Sequence, residues 1–168
     1  SFLISIVLMS INAIISPTIS KLFFEKNYIK LKTLINKSIK LNFLLTFPLI
    51  LVLILFPKFI LGLFGQNYSS SSNVLLIIVL GQIINVFSGS VGVYLNMTGR
   101  QQVFQKILLA TLAINITLNF TLIPIYGMLG AAFSTSISLI IWNLYGVYFI
   151  YKKDNILLFI NKAVFYER

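Results

Sequence analysis

Long apolar blocks alternate with short polar connections along the whole chain. Five blocks stand out, and they cover about residues 2–20, 41–60, 73–97, 103–123 and 127–151. The hydrocarbon core of a bilayer is about 30 Å thick, and a helix needs roughly 20 apolar residues to cross it. Each block is long enough to cross with some tilt, so the pattern predicts an all-α, polytopic transmembrane bundle of about five spans.

The composition favours a membrane protein over a soluble one. Of the 168 residues, 58% are hydrophobic and 10% are charged, and the mean hydropathy is +0.98. A soluble domain has about 45–50% apolar and about 25% charged residues. A soluble chain of this length could not cover several fully apolar helices, so we exclude that class. The chain also begins at Ser1 inside an apolar block, and we expect an N-terminal part of the protein to lie outside it.

Basic residues gather in alternate connections. The connection after the second block has only Lys58, and the one after the fourth block has no charge. The remaining basic residues lie at the other connections and the C-terminus, namely Lys21, Lys26, Lys30, Lys32, Lys37, Lys40, Arg100, Lys106, Lys152, Lys153, Lys162 and Arg168. Because lysine and arginine in short loops mark the cytoplasmic side, these connections and a tail at 152–168 are predicted to be cytoplasmic. We assign the net charge of +10 to membrane orientation and not to nucleic-acid binding.

The first connection combines lysines with apolar residues at near-helical spacing. Its apolar members are Leu22, Phe23, Tyr28, Ile29, Leu31, Leu34, Ile35 and Ile39. This pattern is typical of an amphipathic helix that lies in the cytoplasmic interface, with its lysines facing anionic headgroups. A plain basic connector is the alternative.

The side chains that most enzymes and metal sites need are scarce. The chain has no cysteine and no histidine, and its only acids are Glu25, Asp154 and Glu167. None of the three acids lies in an apolar block, so paired-carboxylate catalysis and a carboxylate proton relay are not expected. We therefore predict that the protein is not an enzyme and that it has no metal site and no cofactor.

Polar residues inside two apolar blocks fall on single helical faces. The stripe of the third block is Gly81, Asn85, Ser88, Gly92 and Asn96, with Gln82 beside it, and that of the fourth is Thr111, Asn115 and Asn119. Polar groups are costly in hydrocarbon, so they tend to face protein or a water-filled cavity. Amides that line a cavity could bind sugar hydroxyls, since an amide both donates and accepts hydrogen bonds. Hydrogen-bonded packing between helices is the equal alternative.

The fifth block carries two ridges of small residues. One ridge is Gly127, Ala131 and Thr135, and the other is Gly130, Ser134 and Ser138. Small residues spaced four apart let helices approach closely, so both ridges are predicted to be packing contacts.

Two cations stand near the predicted cytoplasmic ends of the third and fourth spans. Arg100 could grip a phosphate with two parallel hydrogen bonds, and Lys106 could act as a point charge. Each residue alone is more simply explained as a topology anchor. With the amides, the two cations complete a candidate substrate-binding set, which consists of Gln82, Asn85, Asn96, Arg100, Lys106, Asn115 and Asn119.

Two strings in the second half of the chain match a known pattern. Residues 95–100 read L-N-M-T-G-R, and residues 115–132 read N-I-T-L-N-F-T-L-I-P-I-Y-G-M-L-G-A-A. Both resemble motifs of polysaccharide flippases in the multidrug/oligosaccharidyl-lipid/polysaccharide exporter superfamily. The first string resembles the L-N-x-x-G turn of these proteins, and the second resembles their signature N-x-x-L-N-x-x-L-I-P-x-x-G-x-x-G-A-A. Ser16-Pro17, residues 63–65 (L-F-G) and Tyr68 are similar too, so the resemblance covers nearly the whole chain.

The resemblance implies a two-lobed bundle of helices, usually 12 or 14, whose central cavity opens to alternate sides of the membrane. The chain would supply part of the C-terminal lobe, with a missing N-terminal lobe as its partner. The implied substrate is an oligosaccharide linked to undecaprenyl diphosphate, flipped across the inner (cytoplasmic) membrane for O-antigen or capsule synthesis. Family members often carry charged residues in the lumen. No charge lies deep in these blocks, so any ion-coupling site is expected in the missing lobe or is absent.

Three other functions stay open. A drug or cation antiporter of the same superfamily would favour acidic residues in the cavity, and these blocks contain none. A membrane enzyme that joins sugars would need reactive side chains on the outer side, where the connections offer only Lys58, Gln66, Asn67, Tyr68 and serines. A non-transporting membrane component is disfavoured only weakly, by the polar stripes.

The predicted orientation can be tested with single cysteines, because the chain has none of its own. In intact cells, a membrane-impermeant maleimide should modify Ser70→Cys from outside. The same reagent should modify Lys32→Cys or Arg100→Cys only after the membrane is permeabilised. Labelling of Lys32→Cys in intact cells would overturn the orientation.

Overall fold

The secondary structure is helical throughout the part that the structure describes. The computed structural model describes residues 2–63, 71–160 and 164, and no strand occurs within these ranges. The helices are α1 (Phe2–Phe24), α2 (Tyr28–Leu55), α3 (Pro57–Gly62), α4 (Ser72–Phe87), α5 (Val91–Met97), α6 (Gln101–Tyr126) and α7 (Met128–Asp154). The predicted all-α bundle is confirmed.

Four of these helices are long and apolar enough to cross a membrane, namely α1, α2, α6 and α7. Helices α4 and α5 are together long and apolar enough for a fifth crossing, as one pair that is bent by 43°. We call this pair, with the break at residues 88–90, the bent span. The predicted number of about five spans agrees with this count. The predicted third span, at about residues 73–97, falls on this bent span.

The break in the bent span has a local cause. Gly89 has φ +61°, a left-handed conformation that glycine adopts without the steric cost that other residues meet. A Cβ atom at this position would lie 2.7 Å from Cγ1 of Ile39 on α2, so a larger residue has no room either. The hydroxyl of Ser88 donates to the carbonyl of Ile84 at 2.8 Å, which satisfies one polar group at the end of α4.

The first connection is much shorter than the sequence predicts. Helix α2 begins at Tyr28, where the side chain of Asn27 accepts a hydrogen bond from the backbone N–H of Lys30 at 3.2 Å, as in a helix N-cap. The predicted amphipathic segment is helical, but it runs on into the second span without a break. A separate interfacial helix is therefore wrong. The apolar residues of this segment repeat at helical spacing because Leu31 and Ile35 pack into the bundle core.

Helix α7 lies among several neighbours and packs against α4, α5 and α6. Its buried positions are mostly small or polar, and they include Gly130, Ala132, Ser134, Ser136, Ser138, Asn143 and Gly146. Small side chains let helices approach closely where no hydrophobic effect drives them together. The predicted ridge of Gly130, Ser134 and Ser138 is buried and is confirmed as a packing surface. The ridge of Gly127, Ala131 and Thr135 stays exposed or half-buried within the described bundle.

The residues after α7 return into the bundle. Asn155 has φ +54° and ends the helix in a left-handed cap. Beyond it, Ile156 and Leu158 are buried in the core, and the backbone N–H of Ile160 donates to the carbonyl of Phe87 at 3.0 Å. The cytoplasmic location of residues 152–168 stays a prediction, and the described part of this segment packs against the helices.

The close approach of α4 and α7 can be tested with matched glycine substitutions. A Cβ atom on Gly81 would lie 2.9 Å from the Cα of Ser136, so Gly81→Val should force the helices apart and cost about 1–3 kcal/mol of stability. A Cβ atom on Gly62 would have no neighbouring atom within 4 Å, so Gly62→Val serves as the control. Thermal unfolding in detergent should show a lower midpoint for the first variant only. Equal midpoints would contradict the close contact.

Candidate functional site

A polar cavity opens beside the bent span. Its volume is about 580 Å³, and its walls come from α1, both halves of the bent span, α6 and α7. The polar residues of the lining are Ser5, Asn12, Asn85, Ser90 and Asn96, and the larger apolar ones are Leu8, Met9, Val93, Phe104 and Trp142. Two of the predicted site residues, Asn85 and Asn96, therefore line the same cavity.

The break in the bent span helps to form this cavity. It brings the hydroxyl of Ser90 to the side chain of Asn12 on α1, to which it donates a hydrogen bond. Neither residue belongs to the set predicted from the sequence. Asn12 is a lone amide in an apolar block, and the cost of an amide in hydrocarbon was the one signal that could have singled it out.

A row of hydrogen-bonded amide side chains joins α7 to α4 at the cavity wall. The Nδ2 of Asn143 donates to Oδ1 of Asn85 at 3.2 Å, and the Nδ2 of Asn85 donates to Oε1 of Gln82 at 3.2 Å. Asn143 also donates to the carbonyl of Leu139 at 2.8 Å. The structure thus connects the predicted residues Gln82 and Asn85, and it adds Asn143, which the sequence analysis missed.

The two amides of α6 lie apart from this cavity. The Nδ2 of Asn115 donates to the hydroxyl of Ser138 on α7 at 3.1 Å, which is the packing contact considered as the alternative. The Nδ2 of Asn119 donates to Oδ1 of Asn115 at 2.9 Å. Asn119 also borders a groove of about 420 Å³, lined otherwise by Ile116, Phe120, Ile123 and Pro124.

Arg100 is engaged by an acid at the end of α7. Its Nη2 donates to Oδ1 of Asp154 at 2.6 Å, and its Nη1 donates to Oδ2. The hydroxyl of Tyr94 donates to the same Oδ2 at 2.8 Å. The Arg100 side chain is 22% exposed and that of Asp154 is 8% exposed, so this is a largely buried, bidentate pair.

Aromatic rings enclose the guanidinium of Arg100. Its Cζ lies 5.5 Å from the ring centre of Phe23 on α1 and 6.0 Å from that of Phe149 on α7, within the range of cation–π attraction. The hydrogen bond to Asp154 raises the pKa of Arg100, against the opposing effect of burial. The cation is therefore stabilised in place between two helices.

The role of Arg100 in binding a phosphate stays a prediction. Both of its Nη atoms donate to Asp154 in this structure, a partner that the sequence analysis passed over because Asp154 lies outside the apolar blocks. Lys106 is exposed and borders a separate groove of about 420 Å³ between α6 and α7, with Val103, Ile107, Tyr145 and Phe149 among its lining. Arg100 is not among the described residues that line this groove.

The site has the chemistry of neutral hydrogen bonding. Amides and hydroxyls can donate to and accept from an uncharged polar ligand. Among the described residues, no three histidine, cysteine, aspartate or glutamate side chains lie close enough together to hold a metal ion.

The chain is similar to several curated proteins, two of which have names that refer to O-antigen or to capsular polysaccharide. The relatives include an uncharacterised membrane protein of Methanocaldococcus jannaschii, 30% identical over 85% of this chain and 28% of the relative. A Shigella flexneri protein whose name suggests an O-antigen transporter is 29% identical over 82% of this chain and 33% of its own length. The capsular polysaccharide biosynthesis protein CapF of Staphylococcus aureus is 30% identical over 86% of this chain and 36% of its own length.

The chain thus spans about a third of the length of the curated relatives that it matches. No solved structure matches it. The family model named MatE matches residues 1–121, which include α1 to α5 and most of α6. With this match and a helical bundle that can cross a membrane up to five times, the chain belongs to the MatE family of membrane transporters.

Proposed function

We propose that this chain works as part of a longer transporter that flips a lipid-linked oligosaccharide across the cytoplasmic membrane. The substrate would be of the undecaprenyl-diphosphate type, and its product would supply a surface polysaccharide such as O-antigen or capsule. The observation that carries this proposal is the neutral polar cavity beside the bent span. Its described lining combines amides and hydroxyls with aliphatic and aromatic side chains, and it holds no charged side chain.

The lining suits sugars better than cations. A sugar hydroxyl both donates and accepts, and so do the amides of Asn85 and Asn96 and the hydroxyl of Ser90. Phe104 and Trp142, whose ring centres lie 5.9 Å apart, offer flat apolar surfaces to the C–H faces of a sugar ring. A drug or cation antiporter would be better served by a carboxylate in the cavity, and the described lining has none.

The relatives support the same substrate class. One carries a name that refers to O-antigen transport, and another is named for capsular polysaccharide biosynthesis. Both names concern surface polysaccharides. The proposal extends that class to this chain and to the longer protein in which it would act, with the remaining helices as its partner.

The amides receive different roles in this proposal. Asn96 binds sugar hydroxyls directly, since it lines the cavity and is half-buried. Asn85 binds them too, and Gln82 orients it through the hydrogen bond between their side chains. Asn119 offers a further contact at the groove on α6, held in place by Asn115.

The diphosphate needs positive charge near the cytoplasmic end. Lys106 is exposed and lies one and a half turns into α6, so its ammonium can act as a point charge for an arriving phosphate. Arg100 could join it only by exchanging Asp154 for the phosphate, because the carboxylate occupies both Nη atoms.

The cavity contact can be tested in the full-length protein. Asn96→Leu should reduce transport of the lipid-linked oligosaccharide about tenfold, since a hydrogen bond of about 1.4 kcal/mol corresponds to that factor. Asn119→Leu should also impair transport. Thr121→Leu is the control, because the Thr121 hydroxyl bonds only to carbonyls of its own helix. The measurement is surface polysaccharide restored in a flippase-deficient strain, at matched protein levels.

Equal transport by these three variants at normal protein levels would contradict the proposed contacts. The amides would then be packing contacts, and a non-transporting role for the chain would gain support. A loss of protein from the membrane in Asn96→Leu alone would point to a packing role for that residue.

The phosphate contact has its own test. Lys106→Ala should lower transport several-fold, and Lys106→Arg should keep most of it because the charge is retained. Lys153→Ala is the matched control, since Lys153 is another exposed lysine, at the end of α7. The same polysaccharide assay applies. An equal loss of transport in Lys106→Ala and Lys153→Ala would contradict a specific phosphate contact. It would mean that only the total positive charge at the cytoplasmic end matters.

A further inference from the structure

The break in the bent span leaves a backbone carbonyl that needs a partner. In a continuous helix, the carbonyl of Phe87 would accept from the N–H four residues later. The left-handed turn at Gly89 interrupts that pattern. The backbone N–H of Ile160 donates to the Phe87 carbonyl instead, at 3.0 Å. A residue more than seventy positions later thus satisfies a group that would be costly to leave unpaired inside a membrane.

The segment that supplies this donor covers residues 154–160, and we call it the strap. Its alternate residues Ile156 and Leu158 are buried, whereas Asn155 and Leu157 are exposed. Ile156 is 3% exposed and Leu158 is fully buried, and both belong to the core cluster that includes Ile35 and Ile39 of α2. The ring of Phe159 meets that of Phe87 edge to face, with centres 6.2 Å apart. The strap therefore meets the end of α4 through both backbone and side chain.

The other end of the strap is fixed by an ion pair. Asp154, the last residue of α7, is held by Arg100 and by the hydroxyl of Tyr94. Arg100 directly precedes α6, and Tyr94 is in α5. Asn155 then turns the chain back with its left-handed backbone. The strap is thus tied at one end to α5 and the start of α6, and at the other end to α4.

We propose that the strap is a positioning element that holds the bent span in its bent form. The two halves of the bent span are tied to one segment on either side of the break, α4 by the Ile160 amide and α5 by the Tyr94 hydroxyl. Because Asn85 and Ser90 flank the break and line the polar cavity, the strap sets the shape of that cavity without touching a ligand. The strap holds the bent span in this form whatever the transporter carries.

A designed disulfide tests where the strap lies. In a full-length protein with any other cysteines replaced, Phe87→Cys with Ile160→Cys should cross-link on mild oxidation. Disulfides form when the Cα atoms are about 4.4–6.8 Å apart, which a direct backbone hydrogen bond allows. Phe87→Cys with Lys153→Cys is the control and should not cross-link, because Lys153 lies about 15 Å along α7 beyond Asn143, the residue that contacts Asn85 on α4. Failure of the first pair, or equal yields from both, would overturn the proposal.

Removal of the buried part of the strap, from residue 156 onward, tests what it does. A protein that ends after Asn155 should show amide hydrogen exchange about tenfold faster at residues 84–94 than one that ends after Val164. Exchange at residues 118–132, where α6 turns into α7, should stay unchanged. Asp154→Asn, which weakens the ion pair, should give a smaller rise at the same place. Unchanged exchange at 84–94 would overturn the proposal, and so would an equal rise in both regions, which would mean general destabilisation.

Discussion

The interrupted turn at residues 88–90 is the constraint on which the rest of the bundle depends. A helix that stops inside an apolar bundle leaves backbone groups that must find partners within the protein. Gly89 makes the turn possible, and the side chain of Ile39 fills the space beside it. The Phe87 carbonyl is satisfied from the C-terminal segment, by Ile160. Three distant parts of the chain therefore meet at one turn, and the polar cavity forms beside it.

Helix α7 makes this arrangement possible because it can be approached closely from several sides. A Cβ on Gly146 would overlap the side chain of Val91, at the start of α5, and a Cβ on Gly81 would meet the backbone of Ser136. At such short distances, amide side chains can reach across, as Asn143 does to Asn85. Close packing and polar bonding thus depend on each other: small residues bring the helices together, and amides fix their register.

The sequence predicts the features that depend on local properties of the chain. An apolar block long enough to cross a bilayer implies a helix, and the helical period places Asn85 and Asn96 on one face, where the structure finds a shared cavity. The break could not be predicted, because Ser88 looks like any other small residue of the stripe and Gly89 is one of several glycines in the same apolar block. The partnership of Arg100 with Asp154 joins residues 54 positions apart. Each residue alone has the appearance of a loop charge, and only the tertiary fold brings them together.

The pairing of Arg100 with Asp154 has an electrical consequence. Moving one elementary charge through the membrane field changes its energy by about 2.3 kcal/mol per 100 mV. A guanidinium and a carboxylate that move together cancel each other, and the described lining of the polar cavity carries no charged side chain. When these residues shift as a unit, no net charge crosses the field with them. The ion pair and the described cavity wall therefore give the membrane voltage no net charge on which to act.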